Sequence, residues 1–233
     1  MQVRSGREMG CPSMQRGLSM VELLVGVAIA LFIAAAGATL LAGNLRENRG
    51  LLLEARLMQD LRSATDIISR DLRRAGYWAA ASDGVWAAGA AGVATNPYIA
   101  LAPGAAASDA VSFRYSRDAT ENNAVDSNEQ FGFRLRNRVI EMQLGAGNWQ
   151  ALTDAGTVEV TAFSVTPTVQ HIDLGSYCSQ PCPVASATCP PRQQVRSLAL
   201  VVSGRSTTDA SVARSLRSNV RVRNDAVSGA CPA

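Results

Sequence analysis

The sequence predicts an α+β fold: one long N-terminal helix followed by a run of antiparallel strands. Three observations carry that reading. No charge occurs between Leu23 and Gly43, an apolar stripe then recurs at three- and four-residue steps to Ala75, and beyond residue 110 the period changes to two. With 233 residues, 47% hydrophobic and only 18% charged, the chain is neither a disordered segment nor a coiled-coil rod. Its mean hydropathy of +0.05 excludes several membrane spans but permits one. The formal charge is +3, and all 22 cations are Arg, a surplus too small to argue for nucleic acid. There is one histidine, His171, so multi-histidine metal sites are excluded. No catalytic cluster is visible, and the chain reads as a non-enzyme that needs no cofactor.

The helix comes first. Residues Leu23 to Gly43 form an uncharged run of 21, about 32 Å long as a helix and matched to a bilayer core. A short polar leader with Arg4, Arg7 and Arg16 against Glu8 precedes it, which predicts a cytoplasmic leader. Beyond the span, Leu53, Leu57, Leu61, Ala64, Ile68, Leu72 and Ala75 mark one face, with Asp60, Arg62, Asp66, Arg70 and Arg73 elsewhere. Asp66 and Arg70 are spaced as an i,i+4 pair, and Gly76 is placed to end the helix. A single helix from Leu18 to Ala75 is expected; the alternative is two helices broken near Gly43-Asn44 or Gly50.

Three readings of the N-terminus compete: a plain signal anchor, a secretory signal cut near Ala36-Gly37-Ala38, and a third that accounts for Glu22. The stretch Arg16-Gly17-Leu18-Ser19-Met20-Val21-Glu22-Leu23-Leu24-Val25 resembles the prepilin-type signal of type IV pilins and pseudopilins. That resemblance implies a type IV pilin-like fold, a long helix packed against an antiparallel sheet head. It implies cleavage by prepilin peptidase after Gly17, methylation of the new N-terminus at Leu18, and a role for Glu22 in filament assembly. Leu18 stands where most members of the family have Phe. Thr39 lies near the point where many major pilins carry a bending Pro, so a straighter helix is expected. A carboxylate at the head of an apolar helix requires a partner, and the trimmed amine of a neighbouring subunit is one.

Four regions follow from this: a cleaved leader at 1–17, a membrane or filament-core helix at 18–45, its amphipathic continuation at 46–76, and a head at 77–233. Residues 78–108 are rich in Ala and Gly, contain Pro97 and Pro103, and read as an irregular connection. Val111, Phe113 and Tyr115 then alternate with polar residues. Phe131 to Leu144 reads as a hairpin turning at Asn137-Arg138. Leu135 then faces Ile140, Phe133 faces Met142, Phe131 faces Leu144, and Arg134 falls opposite Glu141. Further strands are expected at Val158–Val165, Val195–Ser203 and Ser218–Arg223.

Ile68–Trp78, the hairpin region at 133–149 and Val220–Asp225 resemble PilW-like minor pilins. The resemblance implies a minor pilin acting in pilus initiation or the tip complex. Its partners would be prepilin peptidase, other minor and major pilins, and the pilus assembly platform. Its location would be the inner membrane with a periplasmic head, then the pilus. A type II secretion minor pseudopilin is the alternative, and an anchored or secreted periplasmic protein of other function is a third.

Of five cysteines, Cys11 lies in the leader. Cys178, Cys182, Cys189 and Cys231 remain as disulfide candidates with three possible pairings, the spacing being poor for a Cys₄ zinc site. Arg134, Arg136, Arg138, Arg221 and Arg223 suit a solvated sheet face better than a phosphate-binding stripe. Asp126, Asn128 and Glu129 lack the glycine of a calcium loop and read as a solvated turn. His171, beside Asp173, has no nucleophile near it in sequence, and Gly145-Ala146-Gly147 leads to Trp149 rather than to a helix, so neither points to an active centre.

Overall fold

The computed structural model describes residues 17, 19–85, 94–184 and 188–232. Helix α1 runs unbroken from Met20 to Leu72. Gly43 and Gly50 lie inside it, so the two-helix alternative does not hold. Leu18 lies outside the described residues. At the other end the backbone tightens: Arg74 N–H donates to Asp71 and Ala75 N–H to Leu72, a three-residue pattern that closes the last turn before Ala75. The chain divides into two units, Met1–Arg49 and Gly50–Ala233.

In the first unit every described residue is exposed. Its most apolar helical window reaches a mean hydropathy of 2.5, long and apolar enough to cross a membrane. The helix needs no proline or kink here. Thr39, at the position singled out above, donates its hydroxyl to the Ala36 carbonyl at 2.8 Å, keeping the polar atom on the helix's own backbone.

In the second unit the predicted stripe is the buried one. Leu57, Leu61, Ala64, Ile68, Leu72 and Ala75 are all 3% exposed or less. They pack on two antiparallel sheets where one was expected. The first contains β1 (Leu101–Ala102), β2 (Ala110–Arg114), β3 (Gln130–Arg136), β4 (Val139–Leu144) and β5 (Trp149–Ala151), paired in chain order. The second contains β6 (Val158–Asp173), β7 (Arg192–Ser206) and β8 (Ala213–Arg221), with β9 (Ala226–Ser228) pairing the start of β7. Val111, Phe113, Phe131, Phe133 and Ile140 from the first sheet meet Val158, Val165, Leu198, Leu200 and Val220 from the second in one core with the helix.

The β3–β4 hairpin has the register read from its sequence. Leu135 pairs Ile140, Phe133 pairs Met142, Phe131 pairs Leu144, and Arg134 donates to Glu141 at 2.7 Å. Asn137 and Arg138 both have positive φ, 51° and 64°, the mark of a type I′ turn. Other expectations need correction. Residues 78–108 are not wholly irregular, because Leu101–Ala102 joins the edge of the first sheet. Strand β6 continues eight residues past Val165, where both of its faces are largely exposed and no burial pattern marks it. Asp66 does not pair with Arg70, whose guanidinium lies 3.7 Å from Asp71 instead.

Gly132, in the middle of β3, shows why one strand position tolerates no side chain. A Cβ there would stand 2.8 Å from the Val111 carbonyl and 3.4 Å from the Trp149 ring. Trp149 reaches across the outer face of the sheet, and the Arg134 guanidinium lies 3.9 Å from its ring centroid. We expect Gly132→Ala to lower stability by about 1–3 kcal/mol through overpacking. Urea unfolding followed by Trp fluorescence checks this, and an unchanged midpoint would contradict it.

Candidate functional site

Two places draw together the residues that the sequence marks out. The first is the start of α1. Gly17 is exposed, and Glu22 lies in the first helical turn, also exposed. A carboxylate in the first turn gains from the helix dipole, since the first N–H groups are unpaired there. Glu22 has no hydrogen bond or ion pair among the described residues.

The second place is the end of the same helix, where its carbonyls run out of intrahelical partners. Two distant segments supply them. Asn224 donates its side-chain amide to the Arg74 and Ala75 carbonyls at 3.3 and 3.1 Å. Arg223 N–H donates to the Arg73 carbonyl at 3.2 Å, and Asn96 Nδ2 to the Gly76 carbonyl at 2.9 Å. Gly76 has φ +75°, as expected for the residue that ends a helix. Its N–H does not turn back into the helix, however, and donates to Arg114 on β2 at 2.8 Å. Arg196 of β7 lies underneath, 8% exposed, giving Nη1 to the Ile99 carbonyl and Nη2 to the Asn224 carbonyl at 2.6 and 3.0 Å. Burial pulls its guanidinium below the ordinary value, against the raising effect of the Asp225 charge. Asp225 Oδ2 in turn accepts from Gln193 and Arg221 at 2.7 and 3.0 Å.

This clasp joins the helix to both sheets. It is built in part from residues 73–78 and 220–225, which fall within two stretches singled out in the sequence. It explains them: Gly76 must adopt positive φ beside a guanidinium, and Asn224 is the short amide that reaches two carbonyls. Arg196 and Asn96 are functional positions that the sequence reading missed. Buried Arg196 interrupts an apolar strand, and that break in pattern is the available signal.

A loop adjoins the clasp. Trp78 Nε1 donates to Asn123 at 2.8 Å, and the buried Tyr98 hydroxyl donates to Glu121 at 2.9 Å. Burial pushes the Glu121 carboxyl up. The neighbouring Ser116 hydroxyl and hydrogen bonds from Asn123 N–H, Tyr98 and Ala79 N–H outweigh it and hold the group below its ordinary value. Asp118, Asp126 and Glu129 have carboxylate oxygens within 4.8 Å of one another. Both Glu129 oxygens are already occupied by the N–H groups of Arg117 and Asp126.

The four cysteines pair as Cys178–Cys231 and Cys182–Cys189. Spanning 53 and 7 residues, they stabilise by about 4 and about 2 kcal/mol on chain-entropy arithmetic. Cys11 lies outside the described residues. The arginines considered for phosphate binding do not converge. Arg134 is held by Glu141, Arg138 by Glu159 at 2.8 Å, and Arg221 by Asp225. His171 is exposed on β6, while Asp173 accepts the Gly175 N–H.

With this architecture in place, comparison with known proteins is informative. The profile of the family described as PpdB, prepilin peptidase-dependent protein B, matches residues 50–222. The chain belongs to this family. The matched span covers the helix from Gly50 on, the first sheet, β6 to β8 and the clasp as far as Val222, and leaves out residues 1–49 and β9. Family membership and the Gly17–Glu22 motif are therefore separate indications of the same pilin-like class. No curated protein and no solved structure matches the chain closely enough to add a relative.

Two outcomes follow. Arg196→Met, which keeps the bulk but removes both carbonyl partners, is expected to lower stability by about 2–3 kcal/mol. A chemical-denaturation midpoint equal to wild type would count against the clasp. Because the Glu121 carboxyl is depressed in the fold, its contribution is full above the unfolded value of about 4.3 and is lost as pH falls through the folded value. Glu121→Gln should therefore flatten the acid limb of a Tm–pH curve, and parallel curves would refute the assignment.

Proposed function

We propose that this chain is a minor pilin of the type IV pilus. It is cut by prepilin peptidase after Gly17, methylated at Leu18, and built into a pilus-initiating or tip complex through its apolar helix. The observation that carries the reading is Glu22. It is the single acid at the head of a helix otherwise uncharged to Gly43, and it lacks a partner within the described chain. A carboxylate there costs free energy on entering lipid or a filament core unless a cation meets it. The trimmed amine of an adjacent subunit is such a cation, and the pairing would set the axial register between subunits.

Membership of a prepilin peptidase-dependent family supports the processing step, and the length of the apolar helix supports an inner-membrane precursor. In that precursor the arginine-bearing leader is cytoplasmic and the head periplasmic. Two disulfides suit an oxidising compartment. The resemblance of residues 68–78 and 220–225 to PilW-like minor pilins favours the pilus over a type II secretion pseudopilus. The activity is assembly; the peptide-bond chemistry belongs to the peptidase. Partners in this reading are the peptidase, other minor and major pilins, and the assembly platform.

The chain has no lysine, so after cleavage its N-terminus is its single primary amine before methylation. Mass spectrometry of the exported protein should find N-methyl-Leu18 as the first residue. A start at Met1 or Thr39 would overturn the proposal. Glu22→Ala should leave cleavage intact and reduce recovery of the protein in sheared pili roughly tenfold or more, as loss of a low-dielectric ion pair implies. Wild-type recovery would refute the pairing.

A further inference from the structure

The two sheets have four outer edges, and they are not treated alike. On the first sheet the outer strands β1 and β5 are two and three residues long. On the second, β6 carries a register shift between Val160 and Ala162, contains Pro167, and is partly covered. Ser108 exchanges two backbone hydrogen bonds with Val165, and Val160 N–H donates to Arg138. Short length, bulges, prolines and covering loops are the means by which sheets avoid accepting another strand.

Strand β8 has none of them. It pairs β7 in continuous register from Ala213 to Arg221, without proline or shift. Among the described residues, no other main-chain segment bonds to its backbone from Ser215 to Arg221. Its inner face is fixed: Arg214 Nε donates to Glu54 at 2.9 Å, Leu216 packs on the core, and Val220 is buried. The outer face presents Ser215, Arg217, Asn219 and Arg221, all but Asn219 and Ser215 cationic, with Arg223 beyond. Arg73, Asn219, Arg221 and Arg223 line a concavity of about 470 Å³ at the end of this row. Arg73, Arg217 and Arg223 have no ion-pair partner among the described residues.

We propose that the free edge of β8 is a docking site for an extended segment of a different protein that carries carboxylates at alternate positions. Main-chain bonds to the open edge would supply affinity, and the guanidiniums of Arg217, Arg221 and Arg223 along its outer face would select the acidic side chains. A second copy of β8 is disfavoured, because pairing two such edges sets arginine rows beside each other. A phosphate chain would use the guanidiniums yet leave the open backbone unpaired. The inference rests on the sheet edge and stands apart from the N-terminal signal, so the two can fail separately.

The test uses the full chain in detergent micelles and a nine-residue peptide alternating Glu with Thr. Binding should slow amide exchange across residues 215–221. It should weaken roughly tenfold in Arg217→Glu/Arg223→Glu, a double variant at exposed side chains without an ion-pair partner, whose Tm should stay near wild type. Methylating alternate peptide nitrogens should abolish binding. Three results would overturn the proposal: undiminished binding of the methylated peptide, protection located elsewhere, or duplex DNA of equal charge binding as tightly as the peptide.

Discussion

The end of α1 is the point on which the second unit depends. A helix that stops inside a protein leaves carbonyls unpaired, and burying them without partners costs more than most single contacts return. Here the donors come from Asn96, Arg223 and Asn224, while the Gly76 N–H bonds the Arg114 carbonyl on β2. The guanidinium of Arg196 holds the Ile99 and Asn224 carbonyls in place below them. Packing of the apolar stripe supplies most of the free energy, but a stripe is tolerant of small shifts along the helix axis. Directional bonds at the helix end are not, and they set where along the sheets the helix sits.

The absence of lysine gives the head its particular electrostatics. Planar guanidiniums stack as well as pair, and this chain uses both properties. Arg134 lies over Trp149 while donating to Glu141, and Arg74 lies 4.2 Å from the Tyr115 ring centroid, itself stacked 4.0 Å from Phe131. Glu159 is shared by Arg138 and Arg205, with its carboxyl held below the ordinary range first by the Arg205 hydrogen bond. These pairs tie down Arg134, Arg138 and Arg205, whereas Arg73, Arg217 and Arg223, near β8 and the end of the helix, have no ion pair among the described residues.

Much of the fold was legible because it rests on periodicity. The helix stripe from Leu57 to Ala75 and the β3–β4 hairpin each satisfy a strict spacing that one-residue errors would ruin, and the structure has both. What escaped has a physical reason. The far half of β6 has no buried face, so no alternation announces it, and β1, β5 and β9 are too short to show a period. The split into two sheets depends on contacts between segments far apart in the chain. Of the clasp, Gly76 was readable from its place after the stripe. Asn224 was singled out within residues 220–225 by resemblance alone, and the parts played by Asn96 and Arg196 are visible only in three dimensions. The stretch from Arg16 to Val25 that resembles a prepilin-type signal needed no folding to be noticed, because the resemblance lies in linear sequence.

The Cys178–Cys231 bond has a mechanical meaning. It closes a covalent ring that contains β7, β8, β9 and the Arg196 and Asn224 members of the clasp. If the chain is pulled from its two ends, the load crosses the sulfurs and bypasses everything between them, so those segments cannot be drawn out lengthwise. Tension falls instead on β6, the first sheet and the helix. A chain wired in this way shields the stretch between the two sulfurs from extension and leaves the load on the segments that precede Cys178.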